Sequence, residues 1–280
     1  MTLWRVAHSH SRLARLSSTV ILAGIAAIVP RLHAADDFDS YKIKISGSWF
    51  YSKPSGTFQS ANGSGTVDIV KDLGFNSYST FSGKLDWKFT RKNHLFLVVS
   101  PFDLSRQTAL TRTIVFQGQT FVAGLTTHSE LRSNLYALGY EYDIVRRERG
   151  HLGIAAQFDL FDTRASITAT GQITGSGVQQ ATRTASGSLL APIPVFGPEF
   201  RVYLARQVYV QGNVYGMYFF GYGDFISSSG SLGFRLATHF GVNVGYQLGS
   251  RFVVNNNNSS NRIGLRFTQK GPVGGVEFPF

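Results

Sequence analysis

The chain of 280 residues contains no cysteine, which excludes disulfide frameworks, thiolate metal sites and cysteine nucleophiles together. Charged residues make up only 15% of it, whereas an ordinary soluble domain has roughly 25%. Aromatic residues nevertheless reach 14%, and there are 30 glycines. This composition favours a β protein whose outer surface does not face water everywhere.

The chain after its N-terminal leader also lacks any apolar run near the ~18 residues of a membrane-spanning helix, which excludes helical spans. The leader itself, residues 1–34, has a basic start and an apolar run at 20–29, and it carries no acid. This pattern predicts a secretory signal peptide cleaved after Ala34 or Ala35, with an uncleaved anchor as the alternative. Residues 35–280 are then the mature domain, and cleavage after Ala34 lowers the net charge from +11 to +7.

The dominant pattern in the mature chain is an alternation of apolar and polar residues, which marks strands with two chemically different faces. The clearest case is YALGYEYDIV at 136–145 and HLGIAAQFDL at 151–160, two arms joined by RRERG. Ten segments are predicted as strands: 40–52, 78–90, 94–105, 130–145, 151–164, 190–205, 207–220, 228–238, 240–253 and 260–269. No stretch predicts a long helix.

The links between these segments alternate between short turns (RKN, RRERG, ARQ and THFG) and longer polar loops. Short periplasmic turns, long external loops and an even strand number are typical of bacterial outer-membrane barrels. We therefore predict an all-β, up-and-down antiparallel transmembrane β-barrel of about ten strands, with eight or twelve as alternatives. A secreted β-sandwich shows the same alternation. The small residues opposite the apolar stripe, such as Gly153 and Ala155, favour the barrel.

The segment API-P-x-x-G (Ala191–Gly197) leads into EFRVYLARQVYVQGNVYG, and the whole mature chain resembles the small outer-membrane β-barrel proteins of Gram-negative bacteria, the OmpA/OmpW-like grouping. The resemblance lies in pattern and implies fold and location in the outer membrane, with no site to carry over. In this family a terminal aromatic residue is usually read by the barrel assembly machinery. Here Phe267 or Phe280 could serve, because the last regular segment stops near 267–269.

Reactive residues give little support for an enzyme. His94, His151 and His239 fall at the short-turn end, opposite the side on which surface hydrolases of this membrane act. His128, Ser129 and Glu130 have the composition of a triad, but consecutive strand residues point to opposite faces. We predict no catalytic, cofactor-binding or metal residues and no cofactor.

The inward face of the strands carries charge. By alternation, nine side chains are predicted to form a lumen charge network: Lys84, Asp86, Lys88, Glu141, Asp159, Glu199, Arg201, Arg235 and Arg266. A barrel this narrow has room mostly for side chains, and an unpaired charge there is costly. We therefore expect the charges to pair and fill the lumen, with a thin polar or ion-conducting path as the alternative.

The outward face predicts contacts with lipid. Aromatic residues near strand ends form a predicted girdle: Trp49, Tyr51, Trp87, Tyr140, Tyr142 and Tyr218. Four arginines near the external end, Arg106, Arg112, Arg132 and Arg183, suit the phosphates of lipopolysaccharide. No basic run with interleaved aromatic residues favours nucleic-acid binding.

The function that these patterns predict is a non-enzymatic outer-membrane barrel with a structural or surface-interaction role. A narrow pore for small solutes or ions is the first alternative. A barrel hydrolase acting on lipid A or on peptides is the second. The oligomeric state and the ligand do not follow from the sequence.

Overall fold

The computed structural model describes residues 38–59, 65–173, 179–219, 223–254 and 264–280. The predicted signal peptide and its cleavage point at Ala34 or Ala35 lie outside these ranges. In the described part of the chain, no helix is long and apolar enough to cross a membrane.

Thirteen strands are present in the described residues, and ten of them correspond to the ten predicted segments. Their bounds are β1 (Ile43–Gln59), β2 (Thr66–Asp68), β3 (Tyr78–Lys88), β4 (Asn93–Ala109), β5 (Ile114–Phe116), β6 (Gln119–Phe121), β7 (Thr126–Arg147), β8 (Gly150–Ile173), β9 (Gln179–Ala205), β10 (Val208–Phe219), β11 (Gly223–Ala237), β12 (Phe240–Val254) and β13 (Gly264–Pro279).

The ten long strands form one closed antiparallel barrel. The strand order is β1-β3-β4-β7-β8-β9-β10-β11-β12-β13, and β13 pairs back onto β1 from Lys44↔Pro279 to Gln59↔Gly264. The prediction of a ten-stranded up-and-down barrel is confirmed. Four turns (89–92, 148–149, 206–207 and 238–239) lie at one end with residues 38–42 and Phe280, and we call it the turn end. The opposite end is the loop end.

Near the turn end the barrel wall is apolar outside and polar inside. Leu152, Ile154 and Phe158 on β8 are exposed on the outer face. From Leu152 to Leu160 the apolar band extends about 27 Å along the strand at ~3.3 Å per residue. Allowing for strand tilt, this is close to the ~25 Å apolar band of outer-membrane barrels. The band therefore faces hydrocarbon, as predicted for a transmembrane barrel.

Toward the loop end the two faces exchange their chemistry. Leu131, Ile167 and Leu189 are buried inside the barrel, while Arg132 and Arg164 stand exposed outside. Beyond the hydrocarbon the outer face meets water, so polar residues belong there and apolar residues gain by being buried inside. The structure is thus a membrane barrel for about half its height and resembles a water-soluble barrel above.

The loop end is closed by two segments, 66–75 and 110–125, which we call the cap. Val67, Ile69 and Phe75 of the first segment are fully buried, as are residues of the β5–β6 hairpin in the second. Their shared core continues into the barrel. These two segments were predicted only as long polar loops, and they are ordered because their scattered apolar residues share a common core.

The last strand is longer than the sequence pattern indicated. β13 continues through GPVGGVEFP to Pro279, where the expectation was an end near 267–269. The Phe280 N–H donates to the Ile43 carbonyl at 2.7 Å, so backbone pairing continues to the last residue. Pairing with β1 outweighs the two prolines and three glycines that made this stretch look irregular.

Candidate functional site in the barrel interior

The charges of the interior are the most concentrated polar feature of the barrel. Of the nine predicted lumen charges, eight lie inside: Lys84, Asp86, Lys88, Glu141, Asp159, Glu199, Arg201 and Arg235. Arg266 does not, and the prediction for it was wrong. Arg266 is exposed outside, whereas Leu265 and Phe267 on either side are buried. This part of β13 lies above the apolar band, where the inner face is the apolar one.

Asp39, which precedes β1, is the centre of the network. Its side chain is fully buried, and Oδ2 lies 3.3 Å from Lys88 Nζ and 3.0 Å from His151 Nδ1. Its Oδ1 lies 3.7 Å from an Arg201 nitrogen, and its carbonyl accepts hydrogen bonds from Lys88 and Arg146 at 3.1 Å. Burial alone would raise the pKa of Asp39, but Lys88, His151 and Arg201 hold it well below its usual range.

A second chain of contacts runs through His94. Its Nδ1 lies 3.3 Å from Asp86 Oδ1, and its Nε2 lies 3.2 Å from Asp143 Oδ2. Asp143 also accepts a hydrogen bond from Arg146 at 2.9 Å. The Tyr41 hydroxyl donates a hydrogen bond to Asp86 at 2.9 Å and accepts one from Lys44 Nζ at 3.0 Å. These contacts join β1, β3, β4 and β7.

The remaining charges pair on the opposite wall. Arg201 donates to both oxygens of Glu277, at 3.1 and 2.7 Å, which is the bidentate geometry that guanidinium groups favour. Lys84 Nζ lies 3.3 Å from Glu199 across the barrel. Arg235 donates to the Tyr203 hydroxyl at 2.7 Å. Five of the predicted lumen charges, Lys84, Asp86, Lys88, Glu199 and Arg201, are therefore paired with an opposite charge, as expected.

Asp159 stands apart from the rest. It is buried and accepts a hydrogen bond from Gln157 on the same strand. Its position is higher in the barrel, where apolar residues such as Ile193 and Val195 fill the interior. Among the described contacts, none joins it to a cation.

Several members of the network were not predicted. Lys44 and Asp143 obey the same alternation as the predicted residues, so the pattern could have found them. Glu277 lies in the part of β13 that was not predicted to be a strand. Asp39 could not be found this way, because it lies in a turn outside any strand. His94 and His151 were assigned correctly to the turn end but were not expected to bridge carboxylates.

The predicted girdle residues lie on the outer face at two heights. Trp87, Tyr140 and Tyr142 are exposed near the turn end, where Phe89 contacts both Trp87 and Tyr140 with ring centroids 5.7 and 6.5 Å apart. Trp49 stacks with Tyr51 farther along β1, and Tyr218 is exposed close to the loop end of β10.

The four arginines predicted near the external end have different surroundings. Arg112 bonds to the buried Asp72 and to the Thr66 carbonyl and so holds the cap together. Arg132 pairs with Asp103 at 3.0 Å on the outer face. Arg106 and Arg183 donate to backbone carbonyls at the loop end.

A serine, a histidine and a glutamate meet on the outer face above the band. His128 Nε2 lies 3.4 Å from Ser105 Oγ and 3.2 Å from Glu130 Oε1. A catalytic relay needs the acid and the nucleophile on different ring nitrogens. Both contacts use Nε2, so this arrangement is not a relay. Ser129, the third member of the sequence candidate, is buried on the other face, as alternation required.

A closed antiparallel barrel with an exposed apolar band and a charged interior defines the class of outer-membrane β-barrel proteins. No protein-family model and no curated protein sequence matches the chain.

Among solved structures the chain is similar to the outer membrane protease OmpT from Escherichia coli, with a TM-score of 0.53 and 12% sequence identity. The match covers 87% of this chain and 100% of that one, and it supports the fold alone. Two matches have lower TM-scores and carry no argument. Ail, the attachment invasion locus protein of Yersinia pestis, has 7% identity, a TM-score of 0.36 and coverage of 84% and 99%. The P. putida toluene transporter TodX has 6% sequence identity and a TM-score of 0.39, and the match covers 87% of this chain and 91% of that one. Membership of the OmpA/OmpW-like grouping stays a prediction.

Proposed function

We propose that this chain is a non-enzymatic, integral protein of the Gram-negative outer membrane, exported through its N-terminal signal peptide, with a closed lumen and a structural or surface-interaction role. The observation that carries the proposal is the filling of the interior. Paired charges occupy its turn-end half, apolar side chains occupy its loop-end half, and the cap covers the top.

The closed interior argues against the pore alternative. An ion would have to separate buried pairs such as Arg201 and Glu277, which costs several kcal/mol. It would then cross a largely apolar layer containing Phe102 and Phe267, whose rings stack with centroids 6.1 Å apart. Both layers would have to rearrange for current to flow.

Planar-bilayer recording of the purified full chain tests this proposal, with a porin in the same lipid as positive control. We expect no discrete current steps for this protein. Regular steps of one size would contradict the closed lumen and support the pore. Outer-membrane fractionation with a gel before and after heating tests the location, and recovery of an unshifted band in a soluble fraction would contradict it.

The surface-interaction role is supported by strands β7, β8 and β9, which are 22, 24 and 27 residues long. From Arg164 to Ile173, β8 extends about 30 Å beyond the apolar band at ~3.3 Å per residue. Its outer face carries hydroxyl pairs, such as Thr168 with Thr184 at 3.1 Å. A polar ribbon of this length is available to molecules outside the cell.

Lipopolysaccharide is the partner that we propose for the rim of the band. Arg132 and Arg164 pair across β7 and β8 and are exposed on the outer face just beyond it, where guanidinium groups would suit lipid A phosphates. Replacing both with alanine is expected to lower the lipopolysaccharide that copurifies with the barrel. Unchanged copurification would contradict this partner.

The non-enzymatic part of the proposal has its own test. Expression of the chain is expected to leave the lipid A species unchanged by mass spectrometry. The proposal would be contradicted if wild-type expression removed an acyl chain from lipid A and expression of a Ser105→Ala variant did not. That result would assign a hydrolase to the outer face.

A further inference from the structure

Three possible metal ligands converge inside the barrel at its turn end. Glu141 and Asp143 lie two residues apart on β7 and share its inner face, and His151 lies beside them on β8. One donor atom from each side chain lies within 4.8 Å of the other two. All three residues are buried, with exposed fractions of 1%, 0% and 6%.

Two oxygen atoms in this group have no hydrogen-bond partner among the residues that the structure describes. They are Glu141 Oε1 and Asp143 Oδ1, both in side chains more than nine-tenths buried. The remaining close contact of Glu141 is His151 Nε2, at 3.5 Å. A buried acceptor without a donor costs free energy, and a carboxylate costs more than a neutral group. A cation between these atoms would satisfy both.

The orientation of His151 suits coordination. Its Nδ1 lies 3.0 Å from Asp39 Oδ2, so the other nitrogen, Nε2, points toward Glu141. A histidine that binds a metal commonly donates its second N–H to a carboxylate, which fixes the ring and makes the ligating nitrogen more basic. Asp39 provides that carboxylate here.

The backbone leaves room for the group. Gly153 pairs with Asp143 across the β7–β8 ladder, and a Cβ at this position would lie 2.6 Å from Glu141 Oε1. Any other residue would push the glutamate out of its position. The glycine therefore preserves the space that the three ligands share.

We propose that Glu141, Asp143 and His151 bind a divalent transition-metal ion, with Zn²⁺ as the best fit. Two carboxylates balance the charge of the ion, and the neutral imidazole supplies the nitrogen that Zn²⁺ favours over Mg²⁺ and Ca²⁺. Lys84, Lys88 and Arg146 are nearby cations. Lys84 contacts Glu199, Lys88 contacts Asp39 and Arg146 contacts the other Asp143 oxygen, so none of the three is a hydrogen-bond partner of Glu141 Oε1.

The metal content of the purified full chain tests the site. Protein expressed with added Zn²⁺ and then dialysed against metal-free buffer is expected to hold about one zinc per chain by elemental mass spectrometry. Glu141→Gln and His151→Gln are expected to lower that content at least tenfold, because ligand removal exceeds the 10–100-fold effect of second-shell changes.

Two controls make the result specific. His94→Gln alters a buried histidine that contacts Asp143 without being one of the three ligands, and it is expected to lower the zinc content less than Glu141→Gln or His151→Gln does. His128→Gln alters an exposed histidine and is expected to keep all of it. A heat-shifted gel band establishes that each variant is folded, and refolding with Zn²⁺, Mg²⁺, Ca²⁺ or a chelator tests selectivity without any variant.

Zinc below about a tenth of an ion per chain would overturn the site. So would equal zinc in the wild type and in folded Glu141→Gln, or equal loss in His128→Gln. These results would leave the proposed barrel function untouched, since conductance and membrane location are measured separately.

Discussion

At the scale of single residues, Asp39 shows how much one buried carboxylate organises. It precedes the first strand, yet its side chain contacts groups on β3, β7, β8 and β9. A charged group is retained in a buried position when its partners compensate for lost hydration. The turn end of the barrel therefore depends on a residue outside its wall.

Asp39→Asn is expected to destabilise the barrel by about 3–5 kcal/mol, because Lys88, Arg146 and Arg201 lose a buried counter-charge. Urea unfolding in detergent micelles measures the change. Asp103→Asn is the matched control, since Asp103 pairs with Arg132 on the exposed outer face. Its cost is expected to stay below about 1 kcal/mol. Equal costs for the two variants would contradict the central role of Asp39.

The low pKa of Asp39 also predicts a dependence on pH. Its folded pKa lies well below the ordinary 3.8, so its stabilisation is complete above that value and is lost as the pH falls toward the folded pKa. Unfolding midpoints measured from pH 6 to pH 2 are expected to fall more steeply for wild type than for Asp39→Asn. Parallel curves would contradict the shift.

Residue-scale prediction from sequence succeeded where alternation and membrane position agreed. Lys84, Asp86 and Glu141 lie inside as expected, because they fall within the apolar band. The prediction for Arg266 was wrong, because alternation shows that the two faces of a strand differ but does not show which face is the polar one at a given height in the barrel. Asp39 could not be predicted, since its contacts come from strands distant in the sequence.

At the scale of elements, the tight turns depend on particular backbone conformations. Gly150 begins β8 with a φ of +130°, and a Cβ there would lie 1.9 Å from the Arg201 carbonyl oxygen on β9. The position needs glycine for both reasons.

Gly150→Ala is therefore expected to cost about 2 kcal/mol or more, from backbone strain and from the loss of close β8–β9 pairing. Gly230→Ala is the control, because a Cβ there meets no atom within 4 Å. Its effect is expected to remain within about 0.5 kcal/mol. The same urea titration compares both variants.

The last strand makes a separate prediction about assembly. Phe280 directly follows β13 at the turn end, and its ring stacks on His239 with centroids 5.7 Å apart, whereas Phe267 is buried inside the barrel. We expect Phe280→Ala to reduce the fraction of protein that reaches the outer membrane, as the assembly machinery reads an accessible terminal aromatic residue. Phe267→Ala is expected to lower stability while leaving that fraction nearly unchanged, and the reverse result would identify Phe267 as the signal.

Prediction of elements from the sequence worked for the ten long strands, because each alternates over many residues. It failed for residues 270–279, where pairing with β1 supplies the order that local sequence does not. It also failed for the cap, whose apolar residues are separated irregularly by Asp, Lys, Thr, Gln and Gly.

At the scale of the whole molecule, two separate layers of side chains block the lumen, one at each end of the barrel. The charge network occupies the turn end, and the apolar core with its cap occupies the loop end. Replacing residues 111–124 by a short Gly-Ser link removes most of the second cap segment and leaves the charge network in place. We expect this variant to stay without current steps in planar bilayers, since the charge pairs still fill the lumen. Steps in this variant alone would show that the cap is the true barrier.

The contacts of Arg201 have a consequence for biogenesis. Arg201 binds Asp39, from the beginning of the described chain, and Glu277, from its last strand. Until β13 meets β1, the arginine lacks at least one of these carboxylates and the sheet carries uncompensated charge beside lipid. Arg201 therefore gains both of its carboxylate partners only when the segment before β1 and strand β13 have come together, so closure of the barrel and charge compensation at Arg201 are completed in the same step.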